Sequence, residues 1–302
     1  MPLRLGLDLG GTKIAAVVLD ADGRAVWEQR VATPRHDYDA TLGTIRDLVG
    51  AAEASGGQTC TVGIGMPGAI SPATGLVKNA NSTWLNGRPF HVDVERALGR
   101  PVRLANDANC LAVSESVDGA AAGADVVFGV IVGTGTGGGI AIRQAVITGV
   151  NAIAGEWGHN PLPWPEVDEL PGPACYCGRH GCLETWLSGP ALSADYARRS
   201  GRSLEGEAVV SLSAGGDLAA SATLDAWTSR LARGLATIIN VLDPDVIVMG
   251  GGLSRIERLY TDVPRLWPRW VFSDHIATRL VPAKFGDASG VRGAAWLWNT
   301  GD

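Results

Sequence analysis

Two stretches of the chain follow one plan, and that repetition limits the fold more than any other feature. Residues 3–23, LRLGLDLGGTKIAAVVLDADG, alternate apolar residues up to Gly10 and Gly11, resume as IAAVVLD and turn again at Asp22-Gly23. Such alternation, broken by a glycine pair, reads as strand, tight turn, strand. Residues 126–146, VVFGVIVGTGTGGGIAIRQAV, repeat the plan with GTGTGGG at the turn. Similar hairpins half a chain apart predict two duplicated α/β domains. Helical patterns in TLGTIRDLVGAAEAS and TLDAWTSRLARGLATIINVL, with the apolar runs TVGIGMPG and DVIVMGGG, complete mixed sheets covered by helices.

The chain has 41 glycines in 302 residues, about twice the usual share of ~7%, and they cluster. A glycine-rich turn between strands aims several backbone N–H groups at one point, a nest suited to phosphate. Gly10, Gly11, Thr12 and Lys13 form one candidate, and Gly133, Thr134, Gly135, Thr136 and Gly137 a second. Asp8 would reach a magnesium ion through water. The third cluster, Gly250, Gly251 and Gly252, follows an apolar strand and precedes Ser254, where a helix is expected to start near a nucleotide. Each cluster alone is equally explained by the need for a tight hairpin. None is a P-loop or a dinucleotide fingerprint, because no G-x-x-x-x-G-K-[ST] or G-x-G-x-x-G lies between a strand and a helix.

A net charge of -6 with interspersed signs offers no basic face to nucleic acid or anionic lipid. No stretch of about 18 apolar residues and no secretion signal is present, so a cytoplasmic protein acting on small molecules is expected. Three of the five cysteines crowd into CYCGRHGC, residues 175–182. Secreted disulfide scaffolds carry denser, usually even counts, so a metal loop or a free-thiol cluster is the better reading; Cys60 and Cys110 read as buried apolar residues. Asn106 and Asp107 follow the apolar PVRLA and suit either an Asx-type helix cap or a reactive carboxylate. Glu156 and Glu184, taken singly, read as solvated side chains.

In their order, LGLDLGGTK, NDANC, GTGTGGG, GEWGHNPLPW and CYCGRHGCLE resemble the ROK family of bacterial sugar kinases and repressors, across essentially the whole chain. The resemblance implies an α/β, actin-like (sugar kinase/Hsp70-type) duplicated two-domain fold with a central cleft and a small zinc loop. It implies a small domain of residues 1–118 plus 290–302, joined by the terminal helix SGVRGAAWLW, and a large domain of 119–289. ATP and Mg²⁺ would serve as cofactors, with Asp107 as catalytic base. Asn106, Gly68, Asn81, Glu156, His159 and Glu184 would bind a hexose, and Trp84 would wall that pocket or belong to the core. Structural Zn²⁺ would be held by His159, Cys175, Cys177 and Cys182, the four tetrahedral ligands such an ion requires; His180 matches a variable position and is left out. LVKNANSTWLNGRPF, RLANDANCLAVSE, AGEWGHNPLPW and SGVRGAAWLW resemble the fructokinase, or manno(fructo)kinase, branch. D-fructose is therefore the expected acceptor, with glucose, mannose or N-acetylglucosamine as the alternatives. A homodimer agrees with the family. Repressor members need a helix-turn-helix ahead of the first glycine turn, and that turn begins within ten residues of Met1, so a DNA reader is not expected.

Overall fold

The computed structural model describes residues 3–298, and positions 299–302 of the expected terminal helix lie outside the described residues. Strands β1 (Leu3–Leu9), β2 (Lys13–Leu19) and β3 (Ala25–Ala32) form an antiparallel meander. Helix α1 (Tyr38–Gly56) leads into β4 (Cys60–Met66), which runs parallel to β1. A short ladder of β5 (Ala69–Ile70) and β6 (Val77–Lys78) and the helix α2 (Phe90–Leu98) precede β7 (Arg103–Asn106) and α3 (Asp107–Val117). The sheet order is β3-β2-β1-β4-β7.

The second half repeats this order. Its strands are β8 (Val126–Val132), β9 (Thr136–Ile142), β10 (Ala145–Val146), β11 (Val246–Gly250) and β12 (Arg279–Pro282), arranged β10-β9-β8-β11-β12. In both sheets the earliest strand is central, the next two lie to one side and the last two to the other. The expected duplication is thus present in the topology. The helices α4 (Glu184–Leu187), α5 (Gly189–Ser200), α6 (Gly206–Ala214), α7 (Leu218–Leu242), α8 (Leu259–Leu266) and α9 (Ser289–Trp296) complete the chain. Contacts divide the described residues into two units, 3–123 with 139–154 and 287–298, and 124–138 with 155–286.

Local chemistry sets the element ends. The Asp37 side chain accepts from Ala40 N at 2.9 Å to start α1, and Gly57, at φ 65°, ends it in a conformation that favours glycine. Between them, Thr41, Ile45, Leu48, Val49 and Ala52 form the buried stripe. The helix expected to begin near Ser254 is instead a single 3-10 turn, Gly252–Arg255. Ser254 N and Oγ both bond Gly251 O, at 3.1 and 2.7 Å, which closes a turn rather than opening a helix. Cys60 and Cys110 are buried, as expected. No helix among the described residues is long and apolar enough to cross a membrane.

Helix α9 lies directly on backbone in the first unit. A Cβ at Gly63 would meet Ala294 O at 1.9 Å, one at Gly6 would meet Val291 O at 2.1 Å, and one at Gly293 would meet Cys110 O at 1.7 Å. Hydrogen bonds lock the contact, because Ser289 Oγ donates to the buried Glu115 at 2.7 Å and Arg292 donates to Gly23 O at 2.7 Å. Gly63→Ala is therefore expected to destabilise the protein by about 3 kcal/mol or more and to lower Tm by roughly 6–12 °C. Gly50→Ala, in α1 with nothing near its missing Cβ, is expected to raise stability by about 0.5–1 kcal/mol. Thermal and urea unfolding of both variants would check this, and equal effects would overturn it.

Candidate functional site

In the first unit the parallel strands β1, β4 and β7 end on one side, where open α/β sheets present reactive groups. Asp8 stands near the end of β1, in register with Gly65 of β4. Asp107 is the first residue of α3, directly after β7. Burial, then the charge of Asp107, pushes the Asp8 carboxyl up to about 6, while Lys13 works the other way. Asp107 reaches solvent, yet protein packs closely enough around it that burial raises its carboxyl too. Hydrogen bonds from Ala108 N, at 2.8 Å, and from Asn106 offset part of that rise. The Asx-cap reading of Asn106 holds, since its Oδ1 accepts from Ala108 N at 2.9 Å. Its Nδ2 donates to Gly68 O at 3.3 Å, so Gly68 and Asn106 are brought together.

Gly68 is at φ 72°, and a Cβ there would meet Lys78 O at 2.3 Å. Asn81 is exposed and follows Ala80, whose N and O are both held by the Asn86 side chain at 2.9 Å. Trp84 is half-buried and meets His36 edge-on at 5.3 Å. In the β1–β2 turn, Gly10 spends its N–H on Lys13 O and its carbonyl on Thr33 Oγ1. Gly11, Thr12 and Lys13 are exposed, so this turn offers two amides, a hydroxyl and an ammonium but not the Gly10 amide.

In the second unit, the β8–β9 turn behaves similarly. Gly133 N is used by Gly135 O, and Thr136 N donates to Glu184 Oε2 at 2.9 Å. Gly137 O accepts from Trp157 Nε1 at 2.9 Å, which fixes the GEWGH segment against β9. The buried Thr136 Oγ1 makes no hydrogen bond among the described residues. Beside this turn a cavity of about 400 Å³ is lined by Gly133, Thr134, Gly189, Glu205, Gly206 and Gly252. The first turns of α5 and α6 face it, which favours anions, while Glu205 and Glu207 in the same lining oppose them. Gly250 ends β11, and a Cβ at Gly251, φ 84°, would meet Val132 O at 2.4 Å. Sequence reading found the turn and the triple glycine but not Gly189, Glu205 or Gly206, whose only signal is a helix start at each.

His159, Cys175, Cys177 and Cys182 converge, with ligand atoms all within 4.8 Å of one another. Cys175 Sγ is 3.5 Å from His159 Nδ1, and Cys177 Sγ is 3.6 Å from Cys182 Sγ. A tetrahedron with zinc–ligand bonds of ordinary length has edges of about 3.6 Å between nitrogen and sulfur and about 3.8 Å between sulfurs, so these two separations suit that ion. No disulfide is formed. Burial, then the neighbouring sulfurs, pushes the Cys182 thiol up to about 12, a cost that a bound cation relieves. His159 Nε2 faces the Tyr176 hydroxyl at 2.8 Å. Glu156 is exposed and Glu184 half-buried, and His180 stands outside the cluster.

Helix α7 forms the plate behind these loops. A Cβ at Gly234 would meet Trp157 at 2.9 Å and Leu183 at 3.0 Å, and Trp227 Nε1 donates to Leu187 O. Arg233 grips Glu169 with two nitrogens at 2.7 Å each, and Arg230 Nε adds a third bond at 2.7 Å. Burial works to raise the Glu169 carboxyl, yet the guanidiniums and the Glu166 N–H together hold it down at about 2. Sequence reading missed this cluster, although two arginines on the buried stripe of a helix already demand partners.

The ROK family model matches residues 4–301. The chain belongs to the ROK family. It is 38% identical over 296 residues, 97% of each chain, to an N-acetyl-D-glucosamine kinase of Pectobacterium atrosepticum. Among solved structures, a ROK hexokinase from Thermus thermophilus matches with TM-score 0.86 and 33% identity, over 98% of this chain and 97% of that one. A ROK glucokinase from Streptomyces griseus, in complex with glucose and AMPPNP, matches with TM-score 0.78 and 30% identity, over 99% and 100%. The actin-like two-domain fold expected from the sequence is the fold of these kinases. The first of these names specifies N-acetyl-D-glucosamine, and none of the three specifies fructose.

A carboxyl raised from ~3.9 to about 6 stabilises the fold below ~4 and loses that contribution as pH rises through 6. Asp8→Asn is therefore expected to stabilise the protein at pH 8 by roughly 1–3 kcal/mol, with the gain closing toward pH 4. Urea unfolding at the two pH values checks it; a gain that is independent of pH would overturn it.

Proposed function

We propose that the protein is an ATP-dependent sugar kinase that transfers the γ-phosphoryl group to the 6-hydroxyl of N-acetyl-D-glucosamine. The observation that carries the phosphotransfer reading is the pair of carboxyls Asp8 and Asp107, both raised at the ends of parallel strands. Asp107 takes the hydroxyl proton as the phosphoryl group transfers, a task its raised basicity suits. Asp8 holds Mg²⁺ through water. The exposed amides of the Gly11–Lys13 turn, the Gly133–Gly137 turn with its unpaired Thr136 hydroxyl, and the Gly250–Gly252 turn beside the 400 Å³ cavity receive the nucleotide.

The hexose is held by Gly68, Asn81, Asn106, Glu156, His159 and Glu184, each carboxylate accepting from neighbouring hydroxyls. His159, Cys175, Cys177 and Cys182 hold a structural Zn²⁺, whose four places are filled by protein and leave no open position for chemistry. A small domain of residues 1–118 plus 290–302 and a large one of 119–289 are the working division we propose. The choice of sugar rests on the 38% identity to an N-acetyl-D-glucosamine kinase. D-fructose is the second reading, carried by the resemblance of NANSTWLNG and GEWGHNPLPW to fructokinases.

ADP release measured across N-acetylglucosamine, glucose, mannose and fructose, with the phosphorylated carbon located by NMR, tests both. N-acetylglucosamine is expected to lead in kcat/KM. A tenfold advantage for fructose, about 1.4 kcal/mol of transition-state preference, would reverse the sugar while keeping the kinase, and no turnover with any sugar would refute the kinase. Asp107→Asn is expected to keep the fold and lose about 10²- to 10⁴-fold in kcat; near-normal turnover would remove Asp107 from the reaction. Metal analysis is expected to find one zinc per chain, and metal-free active enzyme would contradict the zinc site.

A further inference from the structure

We propose that Glu169, gripped by Arg230 and Arg233, is the positioning residue of the metal loop and sets how slowly the Cys3His site releases its ion. The inference rests on the zinc reading above. The loop leaves one metal ligand, His159, and returns to the next at Cys175, and Glu169 lies between them. Nothing else in that span is held by charge so deeply. Glu169, Arg230 and Arg233 are 6%, 1% and 1% exposed.

The grip reaches beyond the one carboxylate. Arg233 also donates to Trp164 O at 2.7 Å, a second point on the same loop. Arg230 donates to Asp195 Oδ2 of α5 at 2.6 Å, and its guanidinium lies over the Trp186 ring at 4.4 Å. Trp186 is two residues beyond Glu184 on α4, and Cys182 is two residues before it. The same pair of arginines thus fixes the loop carrying His159 and Cys175 and the helix that follows Cys182. A metal site assembled from ordered segments avoids the entropy cost of gathering them each time the ion binds. Outer groups that orient metal ligands typically change metal affinity by about 10- to 100-fold when removed.

Wild-type protein, Glu169→Gln and Arg233→Lys would be purified with zinc and challenged with excess chromophoric chelator, while release is followed by absorbance. Leu48→Ala, a buried position of α1 in the first unit, whereas the metal loop belongs to the second, serves as a control whose loss of Tm comes without loss of the grip. Release is expected to be about 10- to 100-fold faster from Glu169→Gln. Arg233→Lys keeps the charge but not the two-pronged bond, and is expected to release at an intermediate rate; it also carries the test should Glu169→Gln fail to fold. Variants within twofold of wild type would overturn the proposal while leaving the zinc site standing. A control that releases zinc as fast as they do would also overturn it, because general destabilisation would then be the cause. Wild-type protein without zinc would overturn the zinc reading and this inference together.

Discussion

Backbone pressed directly on backbone, with no side chain between, is the contact on which both units depend. In the first unit, Gly6, Gly63 and Gly293 let α9 lie against β1, β4 and α3 at separations that no Cβ would survive. In the second, a Cβ at Gly158 would meet Thr136 O at 2.0 Å, and one at Gly251 would meet Val132 O at 2.4 Å. Such contacts leave no slack to be absorbed by rotamers, so the turns at the strand ends are held in place by their packing. The turns can then expose amides without themselves being loose. That combination is what a phosphate-sized anion requires of a binding surface.

Buried charge is handled in opposite ways in the two units. Burial pushes the carboxyls of Asp8 and Asp107 upward, and the charge of Asp107 adds to the rise at Asp8. Glu169 is surrounded by guanidinium and held down. The first arrangement costs folding energy at neutral pH and keeps two carboxyls poised for a cation or a proton. The second uses the same side-chain chemistry for architecture, since a fully paired carboxylate has neither proton nor lone pair to offer a substrate.

What could be read in the sequence was local. The hairpins, the duplication and the cysteine cluster sit within short windows, where alternation and spacing carry the signal. The pairing of Glu169 with Arg233 spans 64 positions, and nothing in either window names the other. Asn106 illustrates a different limit: the cap and the sugar ligand predict the same residue, and only its bond to Ala108 N shows that the cap is made. The helix start expected near Ser254 gives way to a closed turn because a hydroxyl after glycines can close a turn as readily as cap a helix. The acceptor sugar is the least legible property, because carboxylates and amides can hydrogen-bond the hydroxyls of any hexose and residue types alone carry no stereochemistry.

The arginines of α7 have a consequence for anyone who would transplant parts of this protein. The segment from His159 to Cys182 looks like a portable cassette, bounded by two members of its own Cys3His cluster. Its central carboxylate, however, is neutralised by two residues some sixty positions downstream. Grafted onto a relative whose equivalent helix lacks those arginines, the cassette would bring an uncompensated buried charge with it. The exchangeable module is the loop together with the helix behind it, and changes at the two will not add independently.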